Sequence, residues 1–218
     1  MSAQTSCVPR ATDGITSVMA STTTRSELYF SCDVETDGPI PGIYSMLSIG
    51  MAVCGRDDGD GFEPLDPDRA TFYRELQPIA ERFEEDAVAV SGLDRARLAV
   101  EGAPPERAMG ELVEWVREAA GERKPIFAAY PLGFDWSFAH YYLVRYAGGS
   151  PFGHAGHLDV KTLYAAKAGV PLGSAGKNSM PQHLLSTRPH THNALDDAIE
   201  QGELLQNLMA WDGRRSPI

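Results

Sequence analysis

The segment from Glu27 to Glu35 (ELYFSCDVE) constrains the fold more than any other part of the chain. Apolar and polar residues alternate along it, which is the pattern of a β-strand. Its last two polar residues are Asp33 and Glu35, and side chains two apart on a strand project from the same face. Two neighbouring carboxylates repel each other and are costly to bury. Either this strand ends in solvent, or a divalent cation lies between the carboxylates; the segment alone favours neither interpretation.

The order of the remaining segments predicts an α/β domain. Two more strands follow the first one, separated by loops that include the acidic, turn-rich stretch 56–68, and helices and strands alternate thereafter. The predicted strands are 27–35, 43–55, 70–76, 124–130 and 157–160, and the predicted helices are 84–93, 105–121, 134–146, 160–168 and 193–211. This order indicates one mixed, five-stranded sheet flanked by helices.

Two further segments carry candidate functional residues. Asp135 (in GFD) comes at the start of a helix after the strand 124–130, where an aspartate most often serves as an N-cap. His192 and Asp197 (in HNALDD) lie at the entrance to the last helix. Acidic residues suit a first helical turn, and a single histidine there is usually structural. Each segment is weak support for a functional site when it is taken by itself.

Taken together, the three segments resemble the motifs of the DEDDh family of 3′–5′ exonucleases, the class that includes polymerase proofreading subunits. That family has Asp-x-Glu on its first strand, Phe-Asp on a later helix, and a histidine followed five positions on by an aspartate. The residues that match, in the same order and the same structural contexts, are Asp33, Glu35, Asp135, His192 and Asp197. The resemblance runs from about Glu27 to Met209.

The chain departs from the family pattern at two positions. Pro131 stands where the second motif usually has an asparagine, and Asp37 stands where a threonine is common after the first motif. Neither residue is among the expected metal ligands. Both lie near the expected position of the terminal nucleotide, so the substrate preference stays open.

The resemblance implies a ribonuclease H-like fold and a metal-dependent enzyme that hydrolyses phosphodiester bonds at the 3′ end of DNA or RNA and releases 5′-mononucleotides. It implies two Mg²⁺ or Mn²⁺ ions at the four carboxylates. It also implies that His192 is the general base that accepts a proton from the attacking water. The expected contacts with the nucleic acid 3′ end are Thr36, Phe134 and Lys161.

Several alternatives remain open. The chain could be a catalytically inactive module that binds nucleic-acid ends, or a phosphohydrolase of the same fold that acts on nucleoside phosphates. The spacing of His154, His157 and Asp159 could suit zinc, but a glycine-rich turn and a missing fourth ligand favour a structural role. His190 could hold a metal together with His192, although we expect His190 to be exposed.

The formal net charge is −11, and the whole acidic excess lies within residues 1–150, because residues 151–218 hold six acidic and six basic side chains. Proteins that coat long duplexes are usually basic, because their lysine and arginine side chains neutralise many phosphates and thereby release the counterions of the duplex. An acidic total therefore argues against that class of protein. It does not argue against an enzyme that grips a few nucleotides at one end through bound cations, because divalent ions invert the local field.

The composition also sets expectations for domain organisation and location. Residues 1–25 are polar and rich in Ser and Thr, without the apolar segment of a signal peptide, so they predict a disordered tail. We expect a single exonuclease domain over 26–212 and a short tail over 213–218. No apolar stretch reaches the roughly 20 residues that span a bilayer, so we expect no membrane association. Three cysteines without a CxxC pair fit a reducing, cytoplasmic environment.

Overall fold

A mixed six-stranded sheet forms the centre of the computed structural model, which describes residues 26–213. The expected N-terminal tail lies outside the described residues, and so does the expected C-terminal tail apart from Gly213. The strands are β1 (Glu27–Thr36), β2 (Met46–Asp57), β3 (Phe62–Pro64), β4 (Thr71–Glu75), β5 (Lys124–Ala129) and β6 (His157–Asp159). The helices are α1 (Glu85–Ser91), α2 (Arg95–Glu101), α3 (Pro105–Ala120), α4 (Leu132–Ala147), α5 (Val160–Ala168) and α6 (Ala194–Ala210).

The strand order is β3-β2-β1-β5-β6, and β4 also pairs with β2. The pairs of β1 with β2, and of β2 with β3 and β4, are antiparallel, whereas β5 pairs in parallel with β1 and β6. The predicted mixed α/β architecture is confirmed. The additional strand, β3, lies in the stretch that was predicted to be a loop. It forms because β2 is longer than the segment that pairs with β4, and the last three residues of β2 pair with β3.

The helices follow the predicted pattern with two differences. α4 begins two residues earlier than predicted, with Pro131 at its N-cap position. α2 was not predicted, because it is only seven residues long and buries a single apolar side chain, that of Leu98. Its start is nevertheless capped, since the carboxylate of Asp94 accepts the backbone N–H groups of Ala96 and Arg97.

Helices cover both faces of the sheet. One apolar cluster joins Phe30 and Val34 of β1 to side chains of α3 and α4. The second cluster joins Tyr29 of β1 to side chains of α5 and α6. The side of β1 that carries Asp33 and Glu35 therefore lies under α6, and the interpretation of this strand as ending in solvent is wrong. Within residues 26–213, no helix is both long enough and apolar enough to cross a bilayer.

Candidate active site

Four carboxylates from three elements converge where β1 ends. Asp33 and Glu35 come from β1, Asp135 from α4 and Asp197 from α6. Oxygen atoms of Asp33, Glu35 and Asp197 all lie within 4.8 Å of one another. Asp197 is fully buried, and Glu35 and Asp135 are 9% and 4% exposed. The structure thus brings together all four carboxylates that the sequence resemblance singled out.

Asp135 is held against β1 by the strand's backbone. One of its carboxylate oxygens, Oδ1, accepts the N–H of Val34, between the two acidic residues of β1, at 3.2 Å. The residue lies in the first turn of α4, but the N-cap position belongs to Pro131. The interpretation of Asp135 as an N-cap is therefore wrong, because its side chain turns towards the sheet and not towards the end of its own helix.

Gly50 allows α6 to reach the carboxylates. This glycine pairs with Asp33 across β1 and β2, and a Cβ atom built on it would lie 2.2 Å from the carbonyl oxygen of Ala194. Real Cβ atoms essentially never come that close to another heavy atom. Only glycine therefore lets the first turn of α6 rest on β2 at this point, and that turn carries Asp197.

Gln201 connects α6 with β1 and with the residue that follows β5. Its amide nitrogen donates to Oδ1 of Asp33 at 2.8 Å, and its amide oxygen accepts the N–H of Tyr130 at 2.7 Å. The side chain is 2% exposed and lies one helical turn after Asp197. Sequence reasoning missed Gln201, because nothing in its local pattern distinguishes it from a surface residue of the helix.

Burial and mutual repulsion make it unfavourable for all four carboxylates of this cluster to be ionised without a positive partner. Burial raises the pKa of Asp33 well above its usual range, and the nearby Asp135, Glu35 and Asp197 raise it further. The pKa of Glu35 is raised to about 8, first by burial and then by Asp197 and Asp135. Burial raises the pKa of Asp135 to about 7, although its bond from the Val34 N–H opposes the shift. Over the described ranges, no lysine or arginine forms an ion pair with any of the four.

The loop before α6 folds around Asp197. Its two carboxylate oxygens accept the backbone N–H groups of Thr191 and His192, each at 2.9 Å. His192 has a left-handed backbone with φ of 57°, and the side chain of Asn193 then caps α6 by accepting two N–H groups of its first turn. The loop therefore places the His192 side chain beside the carboxylate cluster, while the backbone of the same residue is fixed by Asp197.

His190 lies closer to the cluster than its sequence position indicates. The side chain is about half exposed, as expected, but its Nδ1 lies 3.2 Å from Oδ1 of Asp197. The centres of the His190 and His192 rings are 4.6 Å apart, and the rings meet edge to face. Both histidines line the cleft above the carboxylates, although only His192 matches the family motif.

The cleft has a volume of about 380 Å³, and Tyr130, Pro131 and Phe134 form its apolar wall. Phe134 is 41% exposed, so its ring is accessible from the cleft. Lys161 lines an adjoining groove that shares Tyr130 and Pro131 with the cleft. Thr36 does not reach the cleft, because the side chain is buried and its hydroxyl donates to the carbonyl of Gly38.

Two further sequence observations have structural explanations. The carboxylate of Asp37, which departs from the family pattern, is fully buried, pairs with Arg95 at 2.8 Å and accepts the N–H of Ser45. It therefore anchors the loop after β1 and does not face a substrate. The alternative zinc ligands His157 and Asp159 are also used structurally: His157 packs on the ring of Trp136, and Asp159 caps α5.

Comparison with known proteins shows what the chain as a whole is similar to. No family model matches the chain. A curated relative, the 3′-5′ DNA exonuclease Cap18 of Escherichia coli, is 39% identical over 187 residues, which cover 84% of this chain and 92% of the relative. The nuclease domain of 3′hExo, a DEDDh family member bound to rAMP, aligns over 88% of this chain and 95% of its own, with a TM-score of 0.63 and 11% identity.

Two longer solved chains share the same fold. The 3′-exonuclease whose structure shows recognition of a histone mRNA stem-loop has a TM-score of 0.60 and 10% identity, and the alignment covers 85% of this chain but 64% of that one. Escherichia coli exonuclease I in complex with a dT13 oligonucleotide has a TM-score of 0.56 and 16% identity, and the alignment covers 84% of this chain but 41% of that one. This chain therefore spans less than two thirds of either protein.

The mixed sheet flanked by helices, which the solved exonuclease structures share, defines the ribonuclease H-like fold class. The relative's identity and coverage then show the family of this chain within that fold class. The chain belongs to the DEDDh family of 3′–5′ exonucleases, and it is a 3′–5′ exonuclease.

Proposed function

We propose that this enzyme removes 5′-mononucleotides from the 3′ end of DNA, with two Mg²⁺ or Mn²⁺ ions at the carboxylate cluster and with His192 as general base. The observation that carries the proposal is the convergence of Asp33, Glu35, Asp135 and Asp197 at one point of the sheet, beside an exposed histidine. We propose DNA rather than RNA as the substrate, because the relative at 39% identity is named a DNA exonuclease.

The chemistry of the carboxylate cluster fits divalent cations. Burial together with repulsion raises the pKa values of Asp33, Glu35 and Asp135, and the described residues supply no basic side chain to neutralise them. Cations of charge two remove this penalty, and ligand sets made only of oxygen suit Mg²⁺ and Mn²⁺. When bound, such ions supply positive charge that stabilises the leaving 3′ oxygen and makes a water more acidic.

The described residues orient the carboxylates and accept the proton. Gln201 and the N–H of Val34 fix the orientation of Asp33 and Asp135 before substrate arrives, so less reorganisation is needed during the reaction. His192 stands at the rim of the cleft, where a neutral imidazole nitrogen can accept a proton from the attacking water. Its backbone is held by Asp197, so the base and the cluster keep a fixed relation.

The cleft wall suggests how the terminal nucleotide is held. The exposed ring of Phe134 offers a surface on which a base can stack, and such stacking tolerates different bases. Lys161, in the adjoining groove, can contact a backbone phosphate that lies further from the 3′ end. Thr36 is left out of the proposed contacts, because its side chain is buried away from the cleft.

The test is degradation of labelled DNA and RNA oligonucleotides of equal sequence, with the 3′ or the 5′ end blocked in turn. We expect stepwise release of 5′-mononucleotides from the 3′ end, full loss of activity with chelator, and a marked slowing by a 3′-phosphate but not by a 5′ block. Early release of internal fragments would show an endonuclease. Turnover of free nucleoside phosphates alone would show a different phosphohydrolase, and binding of 3′ ends without turnover in Mn²⁺ would show an inactive binding module.

A further inference from the structure

We propose that His190, His192 and Asp197 form a binding site for Zn²⁺ that is different in chemistry from the carboxylate cluster, and that Zn²⁺ bound there inhibits the exonuclease. The two sites share Asp197. The inhibition rests on the role proposed above for His192, whereas the binding of Zn²⁺ does not depend on any catalytic role.

The geometry of the three side chains fits one ion. One ligand atom from each lies within 4.8 Å of the other two. In a tetrahedral zinc site with bonds of 2.0–2.1 Å, neighbouring ligand atoms are about 3.3 Å apart. Nδ1 of His190 already lies 3.2 Å from Oδ1 of Asp197. The remaining separations have to close by about 1.5 Å at most, and rotation of two exposed imidazole side chains can supply that.

Asp197 is a preorganised ligand for such an ion. The residue is fully buried, and its carboxylate is fixed by the N–H groups of Thr191 and His192. A carboxylate offers about four acceptor positions, so two remain after these backbone bonds. The two histidines approach the carboxylate from the exposed side of the loop, where an ion can enter from solvent.

The ligand types separate this site from the carboxylate cluster. Imidazole nitrogen suits Zn²⁺, whereas Mg²⁺ binds oxygen ligands and keeps several waters. Two histidines and one carboxylate leave a fourth position for water, as in zinc sites that keep an open coordination position. Excess Mg²⁺ should therefore compete with Zn²⁺ at Asp33, Glu35 and Asp135, but should compete much less at the histidines.

Zn²⁺ at this site would block the proposed reaction through His192. A ring nitrogen that is coordinated to Zn²⁺ has no free electron pair, so it cannot accept a proton from water. The ion would also occupy part of Asp197, which the carboxylate cluster uses. Zn²⁺ should thus inhibit an enzyme that is already supplied with Mg²⁺, and the inhibition should weaken when His190 is removed.

The binding test uses the full chain without a histidine tag, in millimolar Mg²⁺, titrated with Zn²⁺ by calorimetry and with Co²⁺ by visible spectroscopy. The variants are His190→Ala, Asp33→Asn and, as a matched exposed histidine, His154→Ala. Loss of a residue that merely orients a metal ligand costs 10–100-fold in affinity, so loss of a ligand should cost at least about tenfold. We expect that loss for His190→Ala only, together with loss of the intense absorption of four-coordinate Co²⁺.

The inhibition test measures 3′–5′ degradation in Mg²⁺ over a Zn²⁺ series. With each protein's rate normalised to its own rate without Zn²⁺, we expect His190→Ala to need at least about tenfold more Zn²⁺ for half inhibition than the wild type, in line with its lost affinity. Equal Zn²⁺ affinity in the wild type and His190→Ala would overturn the site, as would its loss in Asp33→Asn. A wild type without exonuclease activity would instead overturn the proposed function, while the Zn²⁺ affinities would still decide the site.

Discussion

Asp33 is the residue on which the candidate site is centred. The three other carboxylates surround it, and it also accepts a hydrogen bond from Gln201. Because its charge is buried among like charges, it gains more from a divalent cation than an exposed carboxylate would. Its contribution can be tested separately from the fold, since asparagine has nearly the same shape.

We expect Asp33→Asn to abolish turnover and to weaken Mn²⁺ binding, because the substitution removes a ligand charge and leaves the side-chain volume unchanged. Calorimetric titration of Mn²⁺ into the wild type and the variant measures the change in affinity. Circular dichroism of the two proteins serves as the control for folding. An unchanged Mn²⁺ affinity would show that Asp33 is not a ligand.

His192 and His190 form a matched pair for testing the general base. We expect His192→Ala to reduce the rate by about 10²–10⁴-fold, the usual contribution of a positioned base, and to leave Mn²⁺ affinity nearly intact. His190→Ala should change the Mg²⁺-supported rate little, although both histidines line the same cleft. Single-turnover rates on a labelled oligonucleotide make the comparison. Equal losses in the two variants would make the assignment of His192 as base untenable.

Gln201 tests whether the orientation of Asp33 matters. Gln201→Met keeps the side chain's length but removes both hydrogen bonds, which leaves the N–H of Tyr130 without its acceptor. An unsatisfied buried group costs about 1–3 kcal/mol, so the free energy of unfolding in urea should fall by that amount. We also expect kcat to fall more than KM changes. A variant that is less stable but has full kcat would limit Gln201 to a structural role.

At the scale of elements, the site depends on how closely α6 approaches β2. Gly50 makes this approach possible, because it presents no side chain to the first turn of α6. The same turn carries the Asn193 cap and Asp197. The position of the helix start, and not only the identity of its residues, therefore sets where the fourth carboxylate lies.

We expect Gly50→Ala to impair both stability and turnover, because its Cβ would meet backbone atoms of Ala194 and Leu195 that cannot rotate away. Overpacking of this kind costs about 1–3 kcal/mol or more. The control is Gly110→Ala in α3, where a Cβ meets nothing within 4 Å and should stabilise the helix by about 0.8–1 kcal/mol. Urea unfolding and exonuclease rates measure both variants. Full activity in Gly50→Ala would show that α6 can shift without moving Asp197.

The elements also show what the sequence could predict. Alternation in β1 placed Asp33 and Glu35 on one face, and helical spacing located the long helices, because both patterns are local. The contacts of Gly50 and Gln201 join residues far apart in the chain, so no local pattern reveals them. The short elements β3 and α2 were missed for another reason: each is stabilised by its neighbours more than by its own sequence.

At the scale of the whole molecule, the cluster couples folding to protons and cations. In the folded protein without metal, Glu35 and Asp135 have pKa values of about 8 and about 7, whereas in the unfolded chain both titrate near pH 4. The folded state therefore binds more protons than the unfolded state over this range. Since stability falls with pH wherever the folded state holds more protons, the contribution of these groups is present below about pH 4 and is lost as pH rises to about 8.

We expect, in excess EDTA, that the free energy of unfolding contributed by the cluster falls between about pH 5 and 8. Urea unfolding of the wild type and Asp33→Asn at several pH values isolates this contribution, because the variant has one fewer like charge and should show a smaller fall. Saturating Mn²⁺ should raise Tm most at the upper end of the range. Identical pH profiles for the two proteins would contradict the raised pKa values.

The two hydrogen bonds that Asp197 accepts from its own loop limit how such an enzyme can lose its function over evolutionary time. Because one carboxylate holds the backbone of Thr191 and His192 and also belongs to the acidic cluster, a mutation there damages the loop and the cluster in a single event. Descendants that no longer hydrolyse nucleic acid but still bind 3′ ends should therefore have changed first at His192, because its side chain holds no part of the loop backbone in place. Asp197 should be among the last residues of the motif to disappear from such lineages.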